Sequence, residues 1–365
     1  MITNYKLQKY EAICIILIVM VNKLILNVPF YLINLVGTGA IINLIYIGFI
    51  GLIFVFILNH LFKNFHNSDI LDISEFLGGK FLKIVMSIIF VCSFLFVSYI
   101  TLTDFANMIK IIYFQDSPLI FILLFFMIGI TIANLVGFKS IARTIGLVVP
   151  FTLVSILIAL FGVHDQFSFD KFAPIFGYNY RTTFINGLSN IFSLYVITYY
   201  FFVMPLLKDP TDFKKITMIS YIISFMLLFL TTISILTITN DTESLNSIYL
   251  LARKIELGDF LQRLDALFVL LWLISIFCYL SLSVFMTNRI IEKTINITDP
   301  KILTFSTVSI LFGLCLIPFN IAISRLIENT IYRYFIIVLI FIICFLIMIF
   351  ANIKLKFKKR SSLIK

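Results

Sequence analysis

The chain has 365 residues, of which 61% are hydrophobic and only 13% charged, and its mean hydropathy is +1.10. Soluble domains are nearer about half apolar and a quarter charged, so a water-soluble fold cannot bury this much apolar surface. The formal charge of +10 could suggest nucleic acid, but the basic residues lie between apolar runs, and the basic C-terminal stretch has no aromatic interleaving beyond Phe357. The five cysteines (Cys14, Cys92, Cys278, Cys315 and Cys344) all fall inside apolar stretches without a CxxC pair. They point to neither a disulfide framework nor a zinc site. The composition is that of an all-α integral membrane protein, because helices satisfy their backbone polar groups internally in hydrocarbon.

Stretches of about 20 predominantly apolar residues define ten predicted spans in chain order. The first half holds 10–36, 40–62, 81–108, 118–136 and 141–163, with separations across Gly37-Thr38-Gly39 and across Gly137 to Ser140. The second half holds 183–207, 216–239, 264–285, 302–323 and 334–350. This arrangement predicts one transmembrane domain over 1–351, with halves at about 10–163 and 183–350, and a basic tail over 352–365. The opening residues do not read as a signal peptide, since Asn22-Lys23 interrupts the first apolar run and no small-residue cleavage site follows. With the N-terminus inside, the inner segments and tail carry 19 of the 28 Lys and Arg, and the outer ones eight, Arg325 and Arg333 among them. Both termini are therefore expected in the cytoplasm, where the tail can rest on anionic lipid.

Three connections have enough length for structure of their own. In 64–80, Ile70, Leu71, Ile73, Phe76 and Leu77 alternate with Asp69, Asp72 and Glu75, a pattern for a short interfacial helix ended by Gly78-Gly79. The outer segment 241–263 has a similar apolar stripe before Gly258, either a lid or a surface helix bridging two spans. Segment 164–180, with Pro174 and Gly177, reads as an irregular outer loop.

Ionisable residues inside spans are costly and mark functional candidates. Glu11, Lys83, Arg143 and Asp265 lie at or near span ends, where snorkelling accounts for them, and Asp104 lies one turn from the outer end of the third span. Lys23 alone is deep. Around it stand Asn22, Asn27 and Pro29, whose missing amide and ring disrupt the helix at the carbonyl of Ile25. Two readings stand side by side: a proline kink with Lys23 snorkelling inward, or a discontinuous helix whose bare backbone binds a small zwitterion near the bilayer midplane. The sixth span carries Asn186, Gly187, Ser189, Asn190 and Ser193 before an aromatic cluster and Pro205. Those small and polar residues suit a binding stripe or close helix packing equally well. Trp272, the sole tryptophan, falls mid-span and suits a packed interior or a cavity wall.

Enzyme motifs are missing. His60, His66 and His164 are scattered, and no HExxH, GxSxG, Walker or GxGxxG sequence occurs. Neither a catalytic residue, a metal site nor a cofactor is expected.

Two halves of similar length, with breaks in the first and sixth spans, suggest a five-plus-five inverted repeat of the leucine-transporter kind. That arrangement resembles the amino acid-polyamine-organocation superfamily. Within it the sequence is similar to the spore germination permease-like family, the B subunits of GerA-type nutrient receptors. The resemblance rests on Leu26-Asn27-Val28-Pro29, the run from Asp72 to Lys83, Ser117-Pro118, and Gly137 to Arg143 with Pro150. It continues through Phe172 to Gly177, Met204 to Asp209, and Gly258 to Phe268 with Trp272, in family order. The family usually has glycine where Asn22 stands, often a Gly-x-Glu where Thr198-Tyr199-Tyr200 lies, and glutamate at Asp265.

The resemblance implies a germinant-receptor subunit in the spore inner membrane or bacterial cell membrane. It would bind a small nutrient, an amino acid by family habit, and trigger germination with an A subunit and a lipoprotein C subunit. An autonomous, proton-coupled amino-acid transporter and a structural scaffold subunit are the alternatives. The candidate ligand-binding residues are Asn22, Lys23, Asn27, Pro29, Asp104, Ser189, Asn190, Ser193 and Trp272.

Overall fold

A computed structural model describes residues 5–26, 28–162, 167–238, 264–297, 300–317 and 326–363. Every regular element among them is helical, apart from an isolated bridge between Leu7 and Leu207. The α-helices are α1 (Lys9–Leu26), α2 (Val28–Val36), α3 (Ala40–Phe62), α4 (Ile70–Tyr113), α5 (Leu119–Val136), α6 (Phe138–Phe161) and α7 (Tyr180–Phe184). They continue with α8 (Ile197–Val203), α9 (Phe213–Ile238), α10 (Leu264–Ile295), α11 (Pro300–Leu316), α12 (Arg333–Ile337) and α13 (Phe345–Leu363). Eight helical stretches among the described residues are long and apolar enough to cross a membrane, and α11 is a shorter apolar helix. The protein is an all-α, multi-pass membrane protein.

The glycine punctuation read from the sequence recurs in the backbone. Asp69 starts α4: its carboxylate accepts from the backbone N–H of Leu71 and Asp72 at 3.0 and 3.1 Å, and the Asp72 carboxylate accepts from the Asp69 N–H at 3.0 Å. This reciprocal cap satisfies helix-start amides that would otherwise lack partners. α4 then breaks at Gly78 and Gly79, the latter with φ +69°, so the short helix expected over 70–77 joins the third span through a kink. Gly137, with φ +109°, separates α5 from α6. A 3-10 turn over Gly37–Gly39 links α2 to α3. The expected outer helix over 241–263 lies outside the described residues.

The first expected span is divided into α1 and α2, at the break read from the sequence. The last expected span differs from that reading. It begins earlier than 334, because helical structure is already present at Leu326 and Ile327 and continues as a π turn over Glu328–Tyr332. At its far end α13 runs on to Leu363, through the expected start of the tail. Asn352 there is buried and donates to the Leu61 carbonyl at 3.1 Å.

Contacts gather several chain segments at one end of the bundle. Leu7 bridges Leu207, Tyr10 donates to the Gly146 carbonyl, Lys293 pairs with Asp69 and Asp72, and Lys354 donates to the carbonyls of Phe76 and Leu77. Small residues let the helices approach closely, as membrane packing requires. A Cβ on Gly48 would collide with the Phe225 ring across the α3–α9 contact, and one on Gly129 with Phe277 across α5–α10. On α5, Phe121, Phe125, Ile128 and Ile132 are exposed at helical spacing and face lipid.

Burial separates the spans by role. In the most apolar window of Tyr180–Leu206, 89% of residues are buried, against 28% for Leu119–Val136. Residues 14–25 of α1 are buried without interruption. The two interrupted spans therefore form the interior of the bundle.

Gly177 offers a test of this packing. It has φ +62°, and a Cβ there would meet the Val36 carbonyl oxygen at the end of α2. Gly177→Ala should cost about 1–3 kcal/mol through backbone strain and overpacking, seen as a lower melting temperature in detergent. An unchanged melt would argue against this close approach.

Candidate functional site

The first break follows from Pro29. Its ring excludes the carbonyl four residues back and it has no amide to donate, so α1 cannot run through it. It is tolerated at the start of α2, where the amide would be unpaired anyway. Asn27 falls outside the described residues. The second break is longer. After α7 the chain winds as a 3-10 helix over nine residues, Asn186–Leu194, before α8 resumes. Three-residue hydrogen bonds persist beyond it, Tyr195 N to Phe192 O at 3.0 Å and Thr198 N to Tyr195 O at 2.9 Å. Runs of 3-10 helix longer than about four residues are uncommon and mark hinges or strain.

A cavity lies where the two breaks meet. Val19, Met20, Lys23 and Val28 line it from the first span, and Phe192, Ser193, Tyr195 and Val196 from the sixth. It encloses about 10 Å³, room for on the order of one water molecule. Lys23 is its single charged lining residue. The Ser193 hydroxyl is buried there without a hydrogen-bond partner, which is unusual for a native interior.

Lys23 does not snorkel out of the bundle. It is 7% exposed, and its ammonium lies 3.1 Å from Oε1 of Glu328, itself 3% exposed. A buried ammonium needs a counter-charge, since isolating it from water costs far more than the helix can return. Arg333 fell in an outer connection on the sequence reading, and the structure places it, with Glu328, in the interior instead. Arg333 lies 6.0 Å from the ring centroids of Tyr31 and Phe192. The second carboxylate oxygen of Glu328 and the Nε of Arg333 are buried without hydrogen-bond partners.

Beyond the ion pair lies a cluster of hydroxyls. Tyr332 bonds Ser93 at 3.1 Å, and Ser98 donates to Ser283 at 2.7 Å. The hydroxyls of Tyr195, Tyr199 and Tyr279 are buried close to one another and to Tyr332. Glu328 lies near Tyr279, Tyr332 and Arg333. Polar groups from α4, the sixth span, α10 and the Glu328 turn thus converge beside the cavity.

Of the predicted residues, Lys23 and Ser193 come together at the cavity. Asn22 turns the other way, donating to the Ile18 carbonyl at 2.8 Å and the Ser275 hydroxyl at 3.1 Å, which ties α1 to α10. Asn190 donates to Asn43 at 2.8 Å, and Asn43 in turn to the Thr183 carbonyl at 2.9 Å. Ser189 bonds the Asn186 carbonyl in its own segment at 2.8 Å. Trp272 is 1% exposed and packs edge-on to Phe105, with ring centroids 4.9 Å apart. Asp104, one residue from Phe105, is buried as well. Neither of these two nor Pro29 lines the cavity. Among the described residues no group of His, Cys, Asp and Glu could hold a metal ion.

The ion pair should reveal itself by asymmetry. Lys23→Met leaves Glu328 buried and uncompensated, at an expected cost of about 3–5 kcal/mol. Lys23→Met with Glu328→Gln together should recover most of that loss. Unfolding in detergent measures both, and additive losses would mean that the two charges do not interact in the folded protein.

Comparison with known proteins joins the same features to one lineage. The chain is 24% identical over 251 residues to spore germination protein KB of Bacillus subtilis (strain 168). The aligned stretch covers 65% of this chain and 66% of that protein, just under two thirds of its length. A family model described as spore germination protein matches residues 6–324, taking in both broken spans and the cavity between them. On that match the chain belongs to the spore germination permease family.

Proposed function

We propose that this chain is the nutrient-sensing membrane subunit of a spore germinant receptor. A small molecule of amino-acid size binds between the two broken spans, and the resulting helix movement is passed to an A subunit and a lipoprotein C subunit. The observation that carries this reading is the cavity itself: two interrupted helices meet there around a buried ammonium and an unpartnered Ser193 hydroxyl. Interrupted helices expose backbone groups that regular helices keep to themselves, which is how many secondary transporters hold small solutes at mid-membrane. Family membership supports the germination setting. The crowding of Lys6, Lys63, Lys83, Lys139, Lys208, Lys293 and Lys354 toward the end that holds residue 7 supports a cytoplasmic location for that end. Spore inner membrane is the compartment this role requires.

At about 10 Å³ the cavity is far smaller than any nutrient, so binding must accompany its widening. A ligand moves such an equilibrium only by preferring one state. The same two breaks favour a second reading, an autonomous transporter by alternating access. Catalysis has no support in the arrangement of groups.

Thermal unfolding of the purified full-length protein across a panel of small nutrients tests the site. A ligand at about a hundred times its Kd adds about 2.7 kcal/mol to the folded state, and Ser193→Val should weaken that gain. A flat panel, together with unchanged germination in spores deleted for this chain and any paralogue, would overturn the receptor reading. Uptake of the stabilising ligand into liposomes by the protein alone would favour the transporter.

A further inference from the structure

We propose that residues 5–8 form a strap that holds shut the end of the bundle at Leu7, so that solute reaches the cavity from the opposite end. The inference rests on the reading of the cavity as the nutrient site, and it starts from the way the sixth span ends. After α8 the chain makes a 3-10 turn over Met204–Leu206 and becomes extended at Leu207, with φ −71° and ψ 145°. The carbonyls of Pro205 and Leu206 therefore lie at a helix terminus, where no intrahelical amide follows to bond them. The strap supplies the donors. The Lys6 ammonium bonds the Pro205 carbonyl at 2.7 Å, and the Leu7 N–H bonds the Leu206 carbonyl at 2.8 Å. The Leu7 carbonyl accepts in turn from the Lys208 N–H at 2.9 Å. The chain that enters α1 is thus tied to the chain that leaves α8, at one end of the two spans that line the cavity.

The strap is also fixed from the α1 side. The Glu11 carboxylate accepts from the Gln8 N–H at 3.0 Å and from the Tyr5 hydroxyl at 2.5 Å, an early helix side chain turned back on the helix start. Lys139 and Arg143 of α6 each lie 6.0 Å from the Tyr5 ring centroid. Leu7 and Leu207 are 1% and 2% exposed, so parting the strap uncovers both and strips the paired backbone groups of their partners. Behind it the way to the cavity is packed solid. From Cys14 to Val21 on α1 and from Ile197 to Met204 on the sixth span, no residue exceeds 3% exposure. Widening the cavity toward Leu7 requires both the strap and this packing to give way, whereas widening toward the other end leaves the strap intact. A transporter working by alternating access must release its solute past the strap. A sensor needs no such exit.

Thiol labelling of the full-length protein in nanodiscs tests the strap, with 2-sulfonatoethyl methanethiosulfonate as the probe and Cys92→Ser to remove the exposed native thiol. Residues paired across a bridge lie about 5 Å apart, within reach of a disulfide, so Leu7→Cys/Leu207→Cys locks the strap on oxidation. Ser193→Cys, in the cavity wall, should be modified at the same rate with the strap locked as with Leu7 and Leu207 in place. Protection of Ser193→Cys by the lock would show that solute passes the strap and would overturn the proposal. Leu7→Pro removes the bridging amide, and Thr198→Cys, buried between cavity and strap, should then be modified about tenfold or more faster. An unchanged rate at Thr198→Cys would equally overturn the proposal, and the locked form decides the matter if Leu7→Pro does not fold. Resistance of Ser193→Cys in every form would instead count against the cavity as the nutrient site, leaving the Thr198→Cys rates to judge the strap by itself.

Discussion

A lysine fixed in the interior of a lipid-solvated helix bundle constrains everything near it. Lys23 lies on a segment where twelve successive residues are buried, and it is itself only 7% exposed. Its counter-charge must come from another part of the chain, and Glu328 supplies it from 305 residues away. That requirement docks the segment around Glu328 against the first break. The segment itself winds as a π turn over Glu328–Tyr332. Such turns add a residue per turn and occur mostly where a helix must re-aim its side chains.

The breaks and the ion pair are parts of one arrangement. An unbroken sixth span would satisfy its own backbone and present a smooth packing face. The 3-10 run over Asn186–Leu194 narrows the helix and carries Phe192, Ser193 and Tyr195 to the cavity. Phe192 touches both sides of the site, lining the cavity and lying beneath the Arg333 guanidinium. Around this centre the polar contacts are mostly helix tethers: Asn22 to Ser275, Asn190 to Asn43, Ser98 to Ser283. Each such bond contributes on average only about 0.6 kcal/mol in a membrane. They set register, while the apolar contacts and close glycine approaches supply the cohesion.

Much of this was legible in the sequence because hydropathy and glycine report local constraints. The all-α membrane class, the kink after residue 77 and the turn at Gly137 follow from single-segment patterns, and so does the unusual depth of Lys23. Glu328 escaped because it stands between Arg325 and Arg333 in a stretch with the composition of an outer connection. The available signal was physical: a deep lysine requires an acid, and an acid a few residues before a predicted span was a candidate partner. Asn22 and Asn190 show the opposite difficulty. A mid-span amide reads the same whether it holds a ligand or a neighbouring helix, and only the neighbour's position separates the two. Nor does any propensity announce a nine-residue 3-10 run, which packing imposes on a sequence able to form ordinary helix.

The closeness of Ser193, Lys23 and Glu328 gives a direct route from binding to movement in the proposed receptor. In that reading, a ligand that reaches the Lys23 ammonium competes with Glu328 for it. When Lys23 turns toward a ligand, Glu328 is left with Arg333, Tyr279 and Tyr332 as the neighbours within its electrostatic reach. Tyr279 belongs to α10 and Tyr332 to the Glu328 turn, and in the last turn of α10 Lys293 holds Asp69 and Asp72 at 2.6 Å. The short capped helix before Gly78 is therefore bound to the same element that borders the site. A packed bundle of this kind responds by switching between discrete packings more readily than by bending. Its response is set by how unequally the ligand serves the two states.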